Sequence, residues 1–189
     1  MERRLAAVMA ADMVGYSRLM EKDEEDILVR QKTHRKELID PEIARYRGRI
    51  VKTTGDGMLA EFSSAQDAVQ CAIDIQTGMI RREYDQNDDR RIQYRIGINL
   101  GDVVFDDDDI FGDGVNVAAR LEGLAEPGGV CISDIVYQTV ADRIEGAFRD
   151  MGGQRVKNIS RPIRVWQWTV DAPEGHGAPE IAFKQRVQF

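Results

Sequence analysis

Arg49-Ile-Val-Lys52-Thr-Thr-Gly55-Asp56-Gly57-Met-Leu-Ala-Glu-Phe62 is the stretch on which the fold turns. Two strand-like runs, Arg49–Thr54 and Met58–Phe62, flank Gly55-Asp56-Gly57, and glycine and aspartate between two such runs mark a β-hairpin. Before it lies a charged, helix-favouring segment from Glu21 to about Tyr46, closed by Gly48. Ile27, Leu28, Leu38, Ile39 and Ile43 give that segment an imperfect apolar stripe. After the hairpin, Ser64–Arg82 is predicted as a helix with Ala68, Ala72, Ile75 and Met79 on one face. A hairpin between two helices is hard to fit into a doubly wound parallel sheet. No Gly-x-Gly-x-x-Gly loop follows the first strand either.

Working outward, residues 3–11 read as a buried strand. Ile92, Tyr94, Ile96, Ile98 and Leu100 alternate strictly, as in a strand with one buried face, and Val103–Phe105 continues it after Gly101. The acidic run Asp106–Asp109 follows. Gly114–Ala125 is predicted as a helix with Val117, Leu121 and Leu124 towards the core. Pro127-Gly-Gly129 then turns into a strand at Val130–Ile132, Asp134–Val140 is a short helix, and residues 147–170 hold two further strands. The order strand, helix, hairpin, helix, strand builds split βαβ units. The predicted class is α+β: a ferredoxin-like or palm-like βαββαβ core, an antiparallel-rich sheet with helices packed on one face, plus C-terminal strands. Residues 1–170 form one domain. From Asp171 the composition shifts to proline, glycine, alanine and scattered charge, and 171–189 reads as a flexible tail or linker.

At 189 residues, 42% hydrophobic and 31% charged, the chain is long enough for a real core. Its net charge of −7 argues against non-specific nucleic-acid or anionic-membrane binding. It does not argue against a nucleotide, because bound magnesium reverses the local sign. No apolar run approaches the ~20 residues of a membrane span. The N-terminus, with two arginines before an apolar stretch, mimics a signal peptide, but the stretch is short and Asp12 interrupts it. Cys71 and Cys131 show no metal or redox spacing and read as buried reduced thiols, and a cytoplasmic location is expected. His34 and His176 lie outside any motif, which argues against a histidine-based mechanism. Trp166 and Trp168 have two readings, core or interface, with core preferred.

Two aspartates close apolar runs: Asp12 in Ala6-Ala-Val-Met-Ala-Ala-Asp12-Met13-Val-Gly15-Tyr16-Ser17, and Asp56 in the hairpin. A carboxylate at the tip of a buried strand is costly unless a cation meets it. Two of them beside glycines suit a pair of hard divalent ions, the arrangement used in phosphoryl and nucleotidyl transfer.

Three separated motifs carry a resemblance. They are Ala11-Asp12-Met-Val-Gly15-Tyr16-Ser17, Lys52-Thr-Thr-Gly55-Asp56-Gly57, and Asp109-Ile-Phe111-Gly112-Asp-Gly-Val-Asn116-Val-Ala-Ala-Arg120. In this order they resemble the class III nucleotide cyclases, the catalytic domains of adenylate and guanylate cyclases, over roughly residues 4–170. The resemblance implies that Asp12 and Asp56, with the main chain of Met13, hold two Mg²⁺ or Mn²⁺ ions. Backbone amides from Met13 to Ser17, including Gly15 and Tyr16, would cradle phosphates. Lys52 and Asp109 match the positions that read adenine, Asn116 the ribose or transition-state ligand, and Arg120 and Lys157 phosphate contacts. The implied reaction is ATP to 3′,5′-cyclic AMP and pyrophosphate. Because the family's site lies between two chains and this chain carries both residue sets, a homodimer with shared sites is implied. The segment Val103–Asp108 is short for the family's partner-wrapping arm, and Asp12-Met-Val-Gly15-Tyr16 departs mildly from the usual Asp-Ile-x-Gly-Phe. The rivals are a guanylate cyclase, a diguanylate cyclase or polymerase-type enzyme on a palm-like fold, and a non-catalytic nucleotide-binding or dimerisation module. The Gly-Gly-Asp/Glu-Glu-Phe signature of diguanylate cyclases is absent.

Overall fold

A computed structural model describes residues 1–144 and 147–170; the expected tail at 171–189 and His176 lie outside the described residues. The chain runs β1 (Glu2–Met13), α1 (Tyr16–His34), a π-helical turn (Arg35–Ile39), α2 (Asp40–Arg45), β2 (Arg49–Thr54) and β3 (Gly57–Phe62). It continues through α3 (Ala65–Arg82), β4 (Tyr94–Asp106), β5 (Asp109–Phe111), α4 (Asp113–Leu124), β6 (Val130–Ser133), α5 (Asp134–Val140), β7 (Arg149–Gln154) and β8 (Ile163–Trp168). The sheet order is β2-β3-β1-β4-β6-β8-β7, with β5 paired to β4. Only the β4–β6 pairing is parallel among those described. The α+β, antiparallel-rich expectation holds.

Helices cover both faces of this sheet, which corrects the one-face expectation. Ala7, Met9, Ala11 and Met13 of β1 pack with Leu19, Ile27 and the apolar stripe of α3, including Ala68, Ala72, Ile75 and Met79. The alternate residues Ala6, Val8 and Ala10 face the other way, against Val115 and Ala118 of α4. The helix α4 comes close because β4 offers no side chain at Gly97. A Cβ there would lie 2.2 Å from the Glu122 amide nitrogen and 2.5 Å from the Ala118 carbonyl oxygen. This contact sets which stripe of α4 is buried: Gly114, Val115, Ala118 and Leu121. Of the expected inward residues only Leu121 is fully buried; Val117 is half-buried and Leu124 is 41% exposed.

The first helical region also differs. It begins at Tyr16, not Glu21, breaks at Asp23 (φ −160°, ψ 84°), and passes through the π turn before α2. The turn repairs the imperfect stripe. His34 and Ile39 are both buried, and their five-residue step overshoots an α turn but suits i→i+5 winding. The left-handed residue that ends α2 is Arg47 (φ 60°), not Gly48. Gly48 is needed for space, since a Cβ there would lie 2.4 Å from the Phe62 ring.

Trp168 is buried, and Trp166 stacks on Tyr137 with ring centroids 3.5 Å apart and donates to Asp134 Oδ1 at 2.9 Å. Both tryptophans therefore serve the fold. Cys71 and Cys131 are buried free thiols; burial pushes Cys71 up and Cys131 up to about 12. His34 is a buried structural residue between Glu83 and Arg82. No helix among the described residues is long and apolar enough to cross a membrane.

Candidate active site

Asp12 lies near the end of β1, in register with Gly57 of β3 and Arg95 of β4. Gly57 follows Asp56 at the hairpin tip, so the antiparallel register brings Asp56 beside Asp12. The missing side chain matters here: a Cβ on Gly57 would sit 3.4 Å from Asp12 Oδ1. The Met13 amide donates to the Asp56 carbonyl at 3.1 Å and to Asp12 Oδ1 at 3.1 Å, which clamps the tip to the strand.

Burial raises the Asp12 carboxyl to about 6, and the hydrogen bond to Asp56 and its negative charge add to the rise. The Met13 amide and the Arg95 charge oppose it. Two half-buried carboxylates in contact are a source of repulsion that a dication would relieve. No group of three His, Cys, Asp or Glu residues converges among the described residues. The protein thus offers two hard carboxylates and leaves other positions to backbone carbonyl, water or phosphate oxygens, the pattern suited to Mg²⁺. The residues fit the implied ions.

Of the amides expected to cradle phosphates, Met13 is engaged as described and Val14 donates to the Gln93 carbonyl at 2.8 Å. The cradle is reduced to Gly15, Tyr16 and Ser17 at the start of α1, where helix geometry leaves amides without intrahelical partners. Gly15 takes φ 61°, the left-handed turn that swings the chain from β1 into α1.

Lys52 projects from β2 on the α4 side of the sheet, opposite Leu59. The β4–β5 hairpin curls over that face. Ile110 packs onto Ala6, Val8 and Ala10, and Asp109 Oδ2 comes to 3.4 Å from Lys52 Nζ. The hairpin, whose Val103–Asp108 stretch is short for the family's partner-wrapping arm, is folded onto its own chain. Asn116 and Arg120 project from the exposed side of α4, and neither side chain bonds another described residue.

The start of α4 lies away from Asp12. Gly114, at the start of α4, lies against Gly101, which pairs with Ala6, six residues along β1 from Asp12. At ~3.3 Å per strand residue that is roughly 20 Å. Lys157 sits in the exposed β7–β8 turn, beyond the end of β6 that is remote from Asp12. Asp12 and Asp56 meet, Lys52 and Asp109 meet, Asn116 and Arg120 share a helix face, and Lys157 stands apart from Asp12.

Sequence reasoning missed Arg95 and Glu122. Arg95 lies across the ladder from Asp12 and donates to the Ala125 carbonyl at 3.0 Å. Glu122 is raised to about 7, first by burial and then by the Asp12 charge, with Arg95 opposing. The alternation in Tyr94-Arg-Ile-Gly97 puts Arg95 on the far face from Tyr94 and Ile96, but only the strand register reveals what it meets there.

The profile of the adenylate and guanylate cyclase catalytic domain matches residues 3–167. A solved adenylate/guanylate cyclase/hydrolase from Silicibacter pomeroyi is 64% identical, with a TM-score of 0.86 over 90% of this chain and 99% of that one. An adenylyl cyclase from P. aeruginosa is 28% identical, with a TM-score of 0.77 over 93% of this chain and 98% of that one. A protein of Rhizobium meliloti (strain 1021) carrying the provisional name adenylate cyclase 3 is 50% identical over 167 residues, 88% of this chain. The chain spans 28% of the length of that relative.

Proposed function

The chain belongs to the adenylate and guanylate cyclase catalytic-domain family, and from that premise we propose that it converts ATP to 3′,5′-cyclic AMP and pyrophosphate. The observation that carries the adenine reading is the pairing of Lys52 Nζ with Asp109 Oδ2 at 3.4 Å. One donor and one acceptor side by side match adenine, whose N1 accepts and whose 6-amino group donates. Guanine presents the reverse pattern at those atoms, and a site built for one base rejects the other because polar groups are left unpaired.

Asp12 and Asp56, with the Met13 carbonyl, are the residues that would hold Mg²⁺ or Mn²⁺. Such ions supply a lowered pKa for the ribose 3′-hydroxyl and charge neutralisation at the phosphates. The chain's own residues do the rest. The amides of Gly15, Tyr16 and Ser17 bind the β and γ phosphates. Asn116 orients the ribose so that the 3′-oxygen lines up with the α-phosphorus. Arg120 takes up charge that grows on the phosphate oxygens as pyrophosphate leaves, and Lys157, remote from its own chain's Asp12, would add a second cation only at a site completed by a second copy.

We assign the working site to a homodimer. Asn116 and Arg120 are exposed on α4 and bond no other described residue, so they are free to meet phosphates held by a second copy. A two-fold copy laid on the α4 face would bring one chain's Asp12 and Asp56 to its partner's Lys52, Asp109, Asn116 and Arg120. Exposed Phe111 (51%) and Leu124 offer apolar area on that face. ATP as substrate and two free buried thiols suit the cytoplasm, where the cyclic nucleotide would act as a signal.

The deciding experiment incubates purified protein with ATP and with GTP, each with Mn²⁺ or Mg²⁺, and identifies products by mass spectrometry. Cyclic AMP without cyclic GMP is expected. Cyclic GMP would keep the chemistry and overturn the Lys52/Asp109 reading, and no product at high protein concentration would favour a non-catalytic module.

A further inference from the structure

Behind the metal-bearing hairpin, on the α1 side of the sheet, lies a cavity of about 710 Å³. It is distinct in direction from the nucleotide-reading residues, because Lys52 projects from the opposite, α4-facing side. Its base is formed by buried Ala11, Met58 and Tyr94, and half-buried Leu28 adds apolar wall. At its mouth stand exposed Lys32 and Lys36, with Arg35 between them on the π turn. Two carboxylates also line it, against three cations. Asp40 is paired with Arg35 at 2.6 Å, and Asp56 offsets one of the lysine charges. Lys32 and Lys36 form no ion pair with any described residue. The cavity therefore has an excess of positive charge at its mouth.

A second, independent feature lies at the base. Tyr94 is only 3% exposed, and its hydroxyl has no hydrogen-bond partner among the described residues. A buried phenol normally finds a partner, because leaving one unsatisfied is costly. The volume is that of a small-molecule site.

We propose that this cavity binds an organic anion: its acidic group meets Lys32 and Lys36, its apolar body lies against Leu28 and Met58, and an acceptor at its inner end takes the Tyr94 hydroxyl. The main chain of the Gly55-Asp56-Gly57 tip lines the same cavity, and Gln31, another lining residue, donates to the Gly55 carbonyl at 2.8 Å. A ligand there would touch the back of the hairpin that carries Asp56. The site does not depend on the adenylate cyclase reading.

The test titrates 8-anilinonaphthalene-1-sulfonate, a sulfonate on an aromatic body, into the full chain by calorimetry. EDTA is present to suppress metal-dependent binding at Asp12 and Asp56. One saturable site per chain is expected. The Lys32→Ala/Lys36→Ala double variant should weaken it about tenfold or more, and Tyr94→Phe by several-fold. Lys52→Ala, on the other face, should bind like wild type. Melting temperatures of the variants confirm that each is folded; the lysines are exposed and Tyr94→Phe keeps the ring. Absence of a saturable site would overturn the proposal. So would wild-type affinity in either the double-lysine or the Tyr94→Phe variant, or loss of binding in Lys52→Ala.

Discussion

Arg95 stands directly across the β1–β4 ladder from Asp12, and its Nε is held 3.0 Å from the Ala125 carbonyl just beyond α4. The cation that moderates the Asp12 carboxyl is thereby tied to the helix that presents Asn116 and Arg120.

That coupling makes the pH behaviour of Asp12 a sharp test. Its folded pKa is raised from 3.8 to about 6, so between those values the folded state keeps a proton that the unfolded chain has lost. Stability contributed by this group therefore falls as pH rises through that window. Without metal, Asp12→Asn should melt like wild type near pH 4 and above it at pH 7, by roughly 2–4 °C for about 1 kcal/mol in a chain of this size. Mg²⁺ or Mn²⁺ should raise the wild-type melting temperature and leave that of the variant unchanged. Asp12→Ala and Asp56→Ala should abolish turnover with the fold intact; unchanged turnover in either would overturn the metal assignment.

Lys52 and Asp109 are half-exposed, so their ion pair adds little to stability. Lys52→Gln and Asp109→Asn should keep the wild-type melting temperature. Each should lose about 10- to 100-fold in kcat/KM for ATP, as expected when a hydrogen bond involving a charged group is removed. Steady-state kinetics with ATP and GTP reads both the loss and the relaxed base preference. A fall in melting temperature with unchanged kinetics would make the pair structural.

Asp56→Ala and Asn116→Ala damage different halves of the proposed shared site. Each protein alone should be inactive. An equal mixture should recover about one quarter of wild-type activity, because random exchange makes half the dimers mixed and each mixed dimer keeps one intact site of two. No recovery, with exchange shown by mass measurement, would rule out a site built across the interface.

Gly97→Ala places a methyl against the backbone of α4, 2.2 Å from the Glu122 nitrogen, with no flexible side chain to give way. The helix must lift. A loss of about 1–3 kcal/mol is expected in chemical denaturation, together with a drop in turnover as Asn116 and Arg120 shift. Wild-type stability would show that α4 has slack that this packing denies it.

Much of the fold could be read locally. The alternation of Tyr94, Ile96 and Ile98, the Gly-Asp-Gly turn at 55–57 and the Ala68/Ala72/Ile75/Met79 stripe are each set by periodicity over a few residues, and each appears as expected. The faces of α4 were misjudged because its stripe is set by a glycine twenty residues earlier in the chain, which local pattern does not encode. The π turn escaped for a similar reason: a five-residue step looks like imperfect α-helix until His34 and Ile39 are seen buried together.

By itself the sequence determined the chemical inventory of this protein: two aspartates closing apolar runs, a strand lysine and an aspartate ending an acidic run, and an asparagine and arginine four apart on a helix. These choices are local, because a strand end, a tight turn or a helix face is specified by neighbouring residues. Only the tertiary structure decided what the inventory adds up to. Strand register placed Asp56 and Arg95 beside Asp12, packing of α4 on Gly97 brought Glu122 near it, and the curl of the β4–β5 hairpin brought Asp109 to Lys52. Register and hairpin curl are set by burial summed over distant segments, so they cannot be read from any one of them.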